Sequence, residues 1–126
     1  MIYGNGCDII EISRIKKAAE NEAFIKKCFT ENEIEYFKSR NYKAESVAAG
    51  FAAKEAVAKA LKSGFSGFGF SDIEILHYES GCPYVVLHNG AGKIAEEHGI
   101  KVSVSMSHCK EYAMATAIAE KQSSEE

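Results

Sequence analysis

The chain reads as an α+β domain, a small, mostly antiparallel sheet packed on one long central helix, on three observations. First, Phe51–Leu61, FAAKEAVAKAL, is alanine-rich with Lys54, Glu55 and Lys59 as its only charges, inside a helical stretch from about Ala44 to Lys62. Second, Lys101 to Ser107 alternates, with Val102, Val104 and Met106 on one face and Ser103, Ser105 and Ser107 on the other. Third, Tyr112 to Ala119 sets Ala113, Ala115, Ala117 and Ala119 on one face, and such a face lets a helix approach closely. At 126 residues the chain suits one domain, residues 1–120, able to bury about two-thirds of its unfolded surface. The last residues, 121–126 or KQSSEE, read as a disordered tail.

Taken in order, Ile2 to Ile9 predicts a strand with Ile2, Gly4, Gly6 and Asp8 on one face and Tyr3, Cys7 and Ile9 on the other. Glycines beside an acid leave space near it. Ser13 is the expected N-cap of one or two amphipathic helices through RIKKAAENEAFIKKCF. Thr30 and Glu33 form a T-x-x-E capping box for a short helix to about Phe37. The central helix ends near Gly64, and SGFSGFGF follows, with three glycines and three phenylalanines in eight residues. That composition predicts a tight loop, and no GKS or GKT follows to make it a P-loop. Asp72 to Tyr78 and Tyr84 to Leu87 read as strands joined at Ser80-Gly81, with Pro83 opening the second. Asn89 to His98 reads as a short helix stopped by Gly99.

Composition excludes several function classes. Cys7, Cys28, Cys82 and Cys109 show no CxxC or Cys/His ligand spacing, so free, buried or half-buried thiols are expected rather than zinc ligands or disulfides. His77, His88, His98 and His108 form no close ligand pair. A net charge of −3 gives no reason to expect nucleic acid. No transmembrane run or targeting segment is legible, so no membrane partner is expected and the cytoplasm is the default compartment. Arg14, Lys16, Lys17, Lys26 and Lys27 make the early helices locally basic, a surface suited to an acidic protein.

Two stretches carry chemistry. On the central helix Phe51, Glu55 and Lys59 fall along one stripe, because residues four apart lie about 6 Å apart on one face. On a solvated helix this would be an ordinary Glu-Lys pair contributing about 0.3–0.5 kcal/mol. The N-terminal GNGCDIIEISRI ends an apolar run at Asp8, which alone would read as a turn residue or helix cap. Together with the C-terminal segment they make a pattern: Gly6, Asp8, Ile9, Arg14 and Ile15; then Phe51, Lys54, Glu55, Ala56, Lys59 and Ala60; then Ser105, Ser107 and His108. In these three motifs the chain resembles the holo-acyl-carrier-protein synthases, the single-repeat class of 4′-phosphopantetheinyl transferases.

The resemblance implies a 4′-phosphopantetheinyl transferase-like fold, assembled as a homotrimer with each site at a subunit interface. It implies a Mg²⁺-dependent enzyme of fatty acid biosynthesis that moves phosphopantetheine from coenzyme A to a serine of apo acyl carrier protein. Adenosine 3′,5′-bisphosphate would leave. Asp8 and Glu55 match the family's metal-binding acids, and Lys59 the lysine that meets a phosphate. These three are the expected catalytic residues, with the serine's proton going to a metal-bound water or a carboxylate. His108 matches a coenzyme A contact. Arg40 and Lys43, placed just before the central helix, are candidate partners of the 3′-phosphate by charge and proximity. Arg14 matches the arginine that docks the carrier protein, and Lys17, three residues on, shares its face. Two departures stand out: family members commonly carry arginine where this chain has Gly50, and a basic residue where it has Cys82. The competing readings are a non-catalytic coenzyme A-binding module of the same fold, and a small Mg²⁺-dependent phosphohydrolase. Loss of Asp8 or Glu55 would favour the module; a phosphohydrolase would leave the basic helix after Asp8 without a role.

Overall fold

The computed structural model describes residues 1–122. Its elements are β1 (Ile2–Glu11), α1 (Ile12–Ala18), α2 (Glu22–Cys28), α3 (Glu31–Ser39), α4 (Ala44–Ala60), a 3-10 turn (Phe70–Asp72), β2 (Ile73–His77), β3 (Pro83–Leu87), α5 (Asn89–His98), β4 (Ile100–His108) and β5 (Tyr112–Lys121). The strands form two antiparallel sheets rather than the single one expected: β1-β5-β4, and the hairpin β2-β3. Alternation identifies a strand and its buried face but not which edges will pair, and β3 lies beside β4 without laddering to it.

The larger sheet packs on α4 as the alanine pattern requires. Ala113, Ala115, Ala117 and Ala119 are all buried on the helix side of the central strand β5. Across the register Gly6 pairs with Ala117 and Asp8 with Ala115, so Gly4, Gly6 and Asp8 share that side. A Cβ on Gly6 would run into the carbonyl oxygen of Ala56, and one on Gly4 into that of Ala60. Both glycines are there because helix backbone sits directly on strand backbone.

Local signals fared unevenly. The Thr30 box is present: Thr30 N–H donates to Glu33 Oε1 at 2.8 Å, and Glu33 N–H to Thr30 Oγ1 at 3.2 Å. Gly99 stops α5 in the left-handed region at φ 61°. Ser13, however, is not a cap. Strand β1 continues to Glu11, which is the N-cap without a side-chain bond, and Ile12 N–H is taken by Glu111 O at 2.9 Å. Asn21 caps α2 instead, accepting from Ala23 and Phe24 N–H. At the other end β5 runs through Lys121, and Gln122 N–H donates to Gly99 O at 2.8 Å. The rest of the tail expectation, residues 123–126, lies outside the described residues. Of the cysteines only Cys28 is buried; Cys7, Cys82 and Cys109 are exposed free thiols, because each sits on an outward strand position or a turn.

Candidate active site

Helix α4 is buried almost all round, by Val47, Val57 and a series of alanines, and it opens towards solvent along Phe51, Glu55 and Lys59. That open stripe faces Asp8 on β1. Lys59 does not pair with Glu55. Its Nζ donates to Cys7 O at 2.8 Å and stands 3.6 Å from Asp8 Oδ1, crossing from helix to strand. Burial, and then the Asp8 charge, raise the Glu55 carboxyl above its ordinary value, with Lys59 opposing them. Asp8, Glu55 and Lys59 therefore act on one another through space, on a surface backed by glycine and alanine.

This donor set fits a divalent cation. Two carboxylates that repel one another are relieved by a doubly charged ion, and Mg²⁺ is held by one or two carboxylates with its other positions left to phosphate oxygens and water. Among the described residues no group of three or more His, Cys, Asp or Glu side chains could form an all-protein cage.

Arg40, Lys43 and His108 come together elsewhere. They line one depression with Glu45 and Ser46 at the start of α4. His108 is the last residue of β4. In register it pairs with Ala113, two positions along β5 from the partner of Asp8. Two strand spacings, about 10 Å, separate β4 from β1. Within one chain the acid-lysine group and this cationic group are thus distinct clusters. The depression shares Glu45, Ser46 and His108 with an adjoining cleft of about 430 Å³ whose wall includes Gly50 and Cys82. Both departures from the family pattern fall on that wall, and a Cβ at Gly50 would stand 3.3 Å from Phe37 Cζ. Arg14 and Lys17 are exposed on α1.

Sequence reasoning missed two features. Lys54 is fully buried and donates to Glu33 Oε1 at 2.7 Å, to Phe70 O at 3.0 Å and to Ile73 O. Glu33, 2 % exposed, also accepts Ile75 N–H at 2.9 Å. Burial pushes Glu33 up and Lys54 down, but every partner of Lys54 is an acceptor and every partner of Glu33 a donor, which holds the pair as ions. The partners lie 21 residues apart, beyond any periodicity; only the capping box hinted that Glu33 turns inward. The second feature is His77, whose ring stacks on Tyr36 at 3.9 Å with Nδ1 unpartnered, while Arg40 lies 5.2 Å from the Tyr36 ring centre.

Known proteins show the family of the chain. A model of the 4′-phosphopantetheinyl transferase superfamily matches residues 4–117. The chain belongs to that superfamily. Within it, the chain is 49 % identical to a holo-[acyl-carrier-protein] synthase of Clostridium perfringens, over 95 % of each chain. Its fold is similar to the crystal structure of holo-[acyl-carrier-protein] synthase from Neisseria meningitidis, with a TM-score of 0.87, 36 % identity and coverage of 96 % of this chain and 100 % of the other. The Bacillus anthracis holo-(acyl-carrier-protein) synthase, solved in complex with CoA (3′,5′-ADP), matches with a TM-score of 0.81 and 35 % identity over 97 % of this chain and 99 % of that one. No helix among the described residues is long and apolar enough to cross a membrane.

Proposed function

We propose that this chain transfers the 4′-phosphopantetheine group of coenzyme A to a serine hydroxyl of an apo acyl carrier protein, as a Mg²⁺-dependent holo-acyl-carrier-protein synthase. The serine oxygen bonds to the β-phosphorus of coenzyme A, the pyrophosphate P–O bond breaks, and adenosine 3′,5′-bisphosphate leaves. The observation that carries this reading is the meeting of Asp8, Glu55 and Lys59 on one surface, in a chain similar over nearly its whole length to holo-acyl-carrier-protein synthases.

Asp8 and Glu55 would hold the metal, which supplies charge neutralisation on the transferring and leaving oxygens. Lys59 brings its ammonium to a phosphate oxygen, exchanging its contact with Asp8 for the incoming anion. Arg40, Lys43 and His108 offer a second anionic contact, suited to the 3′-phosphate. Arg14 and Lys17 present cations for the acidic carrier, where complementary charge raises the encounter rate and fixes orientation. The reading extends to fatty acid biosynthesis in the cytoplasm.

The reading includes a homotrimer with composite sites. Ile9, Met114 and Ile118 are 66 %, 39 % and 43 % exposed on the side of the β1-β5-β4 sheet away from α4, an apolar patch suited to covering by another copy. The distance between the acid-lysine group and the His108 group supports a site completed across that contact. The test is liberation of adenosine 3′,5′-bisphosphate, followed chromatographically with an apo carrier, with its serine-to-alanine variant, and with chelator. Release that needs both the serine and the metal supports the reading; release with the alanine variant makes the protein a hydrolase.

A further inference from the structure

Helix α4 presents an unusual packing problem. An ordinary amphipathic helix finds its rotation about its own axis by burying one apolar stripe. This one is buried on nearly every side by alanine, valine and glycine, so its packing distinguishes weakly between one azimuth and another. Small side chains also interlock little, which leaves sliding along the axis lightly opposed.

One polar contact breaks that degeneracy. Lys54 donates its three N–H bonds to acceptors on three separate segments: Glu33 on α3, Phe70 O in the 3-10 turn and Ile73 O at the start of β2. Glu33 is itself fixed by Thr30 N–H and Ile75 N–H. A buried ion pair contributes little net stability compared with an apolar pair of the same shape, and its best attested use is to specify one arrangement. Adjacent helix positions project about 100° apart. Pinning Lys54 on the α3 and β2 side therefore aims Glu55 at β1, and Lys59, one turn further, at Asp8.

We propose that Lys54 is a positioning residue for the transfer reaction: its buried contacts with Glu33, Phe70 O and Ile73 O set the rotation of α4 that brings Glu55 and Lys59 to Asp8. This deepens the function proposed above and rests on it. It needs no contact between Lys54 and substrate.

The test compares wild type, Lys54→Met and a control, Val85→Ala, which trims a half-buried side chain of β3, a strand that packs chiefly on β2, β4 and α5. All three are assayed below their melting temperatures, by calorimetric titration of Mn²⁺ into the coenzyme A-saturated chain and by steady-state kinetics. Lys54→Met is expected to lose at least tenfold in Mn²⁺ affinity and tenfold in kcat, with the KM for carrier protein within twofold of wild type. The control is expected to keep both. A folded Lys54→Met with wild-type metal affinity and kcat, or an equal loss in the control, overturns the proposal. If Lys54→Met gives no folded protein, Glu33→Gln, which removes the charge facing Lys54 and keeps the side chain's shape, carries the same two readouts and the same two outcomes. Wild-type activity separates the two claims: no transfer at all defeats the proposed function, whereas transfer with unaltered variants defeats this inference alone.

Discussion

Lys59 Nζ stands 3.6 Å from Asp8 Oδ1, joining the central helix to the first strand, although Glu55 is its nearer neighbour in sequence. The pair is part-exposed, Lys59 by 54 % and Asp8 by 20 %, so its own contribution to stability is small. Its value is that it sets the Lys59 ammonium beside Asp8, reaching across to the strand from the helix that carries Glu55.

Removing either acid should therefore abolish transfer without unfolding the chain. Asp8→Ala and Glu55→Ala each delete a proposed metal ligand and open no core cavity, so circular dichroism should match wild type. Near-normal rates for either variant at low Mg²⁺ would rule out the two-carboxylate site.

Glu55 also gives a pH dependence with a definite sign. Its carboxyl is raised in the folded chain by burial and by Asp8, so ionising it weakens the metal-free fold at neutral pH. That cost is present above the raised folded value and vanishes as the pH falls below the ordinary carboxylate value, where folded and unfolded forms are both protonated. Glu55→Gln should accordingly raise the melting temperature of metal-free protein at pH 7. The difference should shrink on acidification. Equal melting temperatures for the two proteins at both pH values would contradict this account of the site.

Much of the fold was legible because its signals are local. The Thr30 box, the Gly99 stop and the alternation of β4 and β5 each rest on a few adjacent residues. Ser13 failed as a cap because β1 runs on to Glu11 through pairing with Tyr112, a contact about a hundred residues away in sequence. The buried contacts of Lys54 were not legible for the same kind of reason. Nothing near it in sequence announces Glu33, Phe70 O or Ile73 O, and a lysine among alanines reads as surface. Asp8, Glu55 and Lys59 were legible only as a motif; their meeting needed β1 to lie along α4, which Gly4 and Gly6 permit.

That contact yields a further prediction. Gly6→Ala sets a methyl group against the Ala56 carbonyl, helix backbone that cannot step aside. It should destabilise by at least about 1–3 kcal/mol, as overpacking does. The urea midpoint should fall with little change in slope. A wild-type midpoint would show that α4 and β1 are further apart than described.

The carrier surface is tested by Arg14→Glu. Replacing attraction with repulsion by about 1.4 kcal/mol would raise the KM for carrier protein about tenfold. The KM for coenzyme A should change little, and added salt should weaken the wild type's carrier binding more than the variant's. Loss of coenzyme A binding with an unchanged carrier KM would remove α1 from the docking surface.

The proposed composite sites make a complementation prediction. Inactive Asp8→Ala and inactive His108→Ala subunits, mixed and allowed to exchange, should recover part of the activity, because some mixed assemblies contain one site with both residues intact. An active monomer in sedimentation experiments would contradict the trimer.

The central claim is the transfer itself, and intact mass reads it directly. Apo acyl carrier protein incubated with this chain, coenzyme A and Mg²⁺ should gain the mass of one phosphopantetheine group, and the gain should be absent with Asp8→Ala or with the carrier serine replaced. An unchanged carrier mass in the presence of folded wild-type chain, coenzyme A and Mg²⁺ would contradict the account.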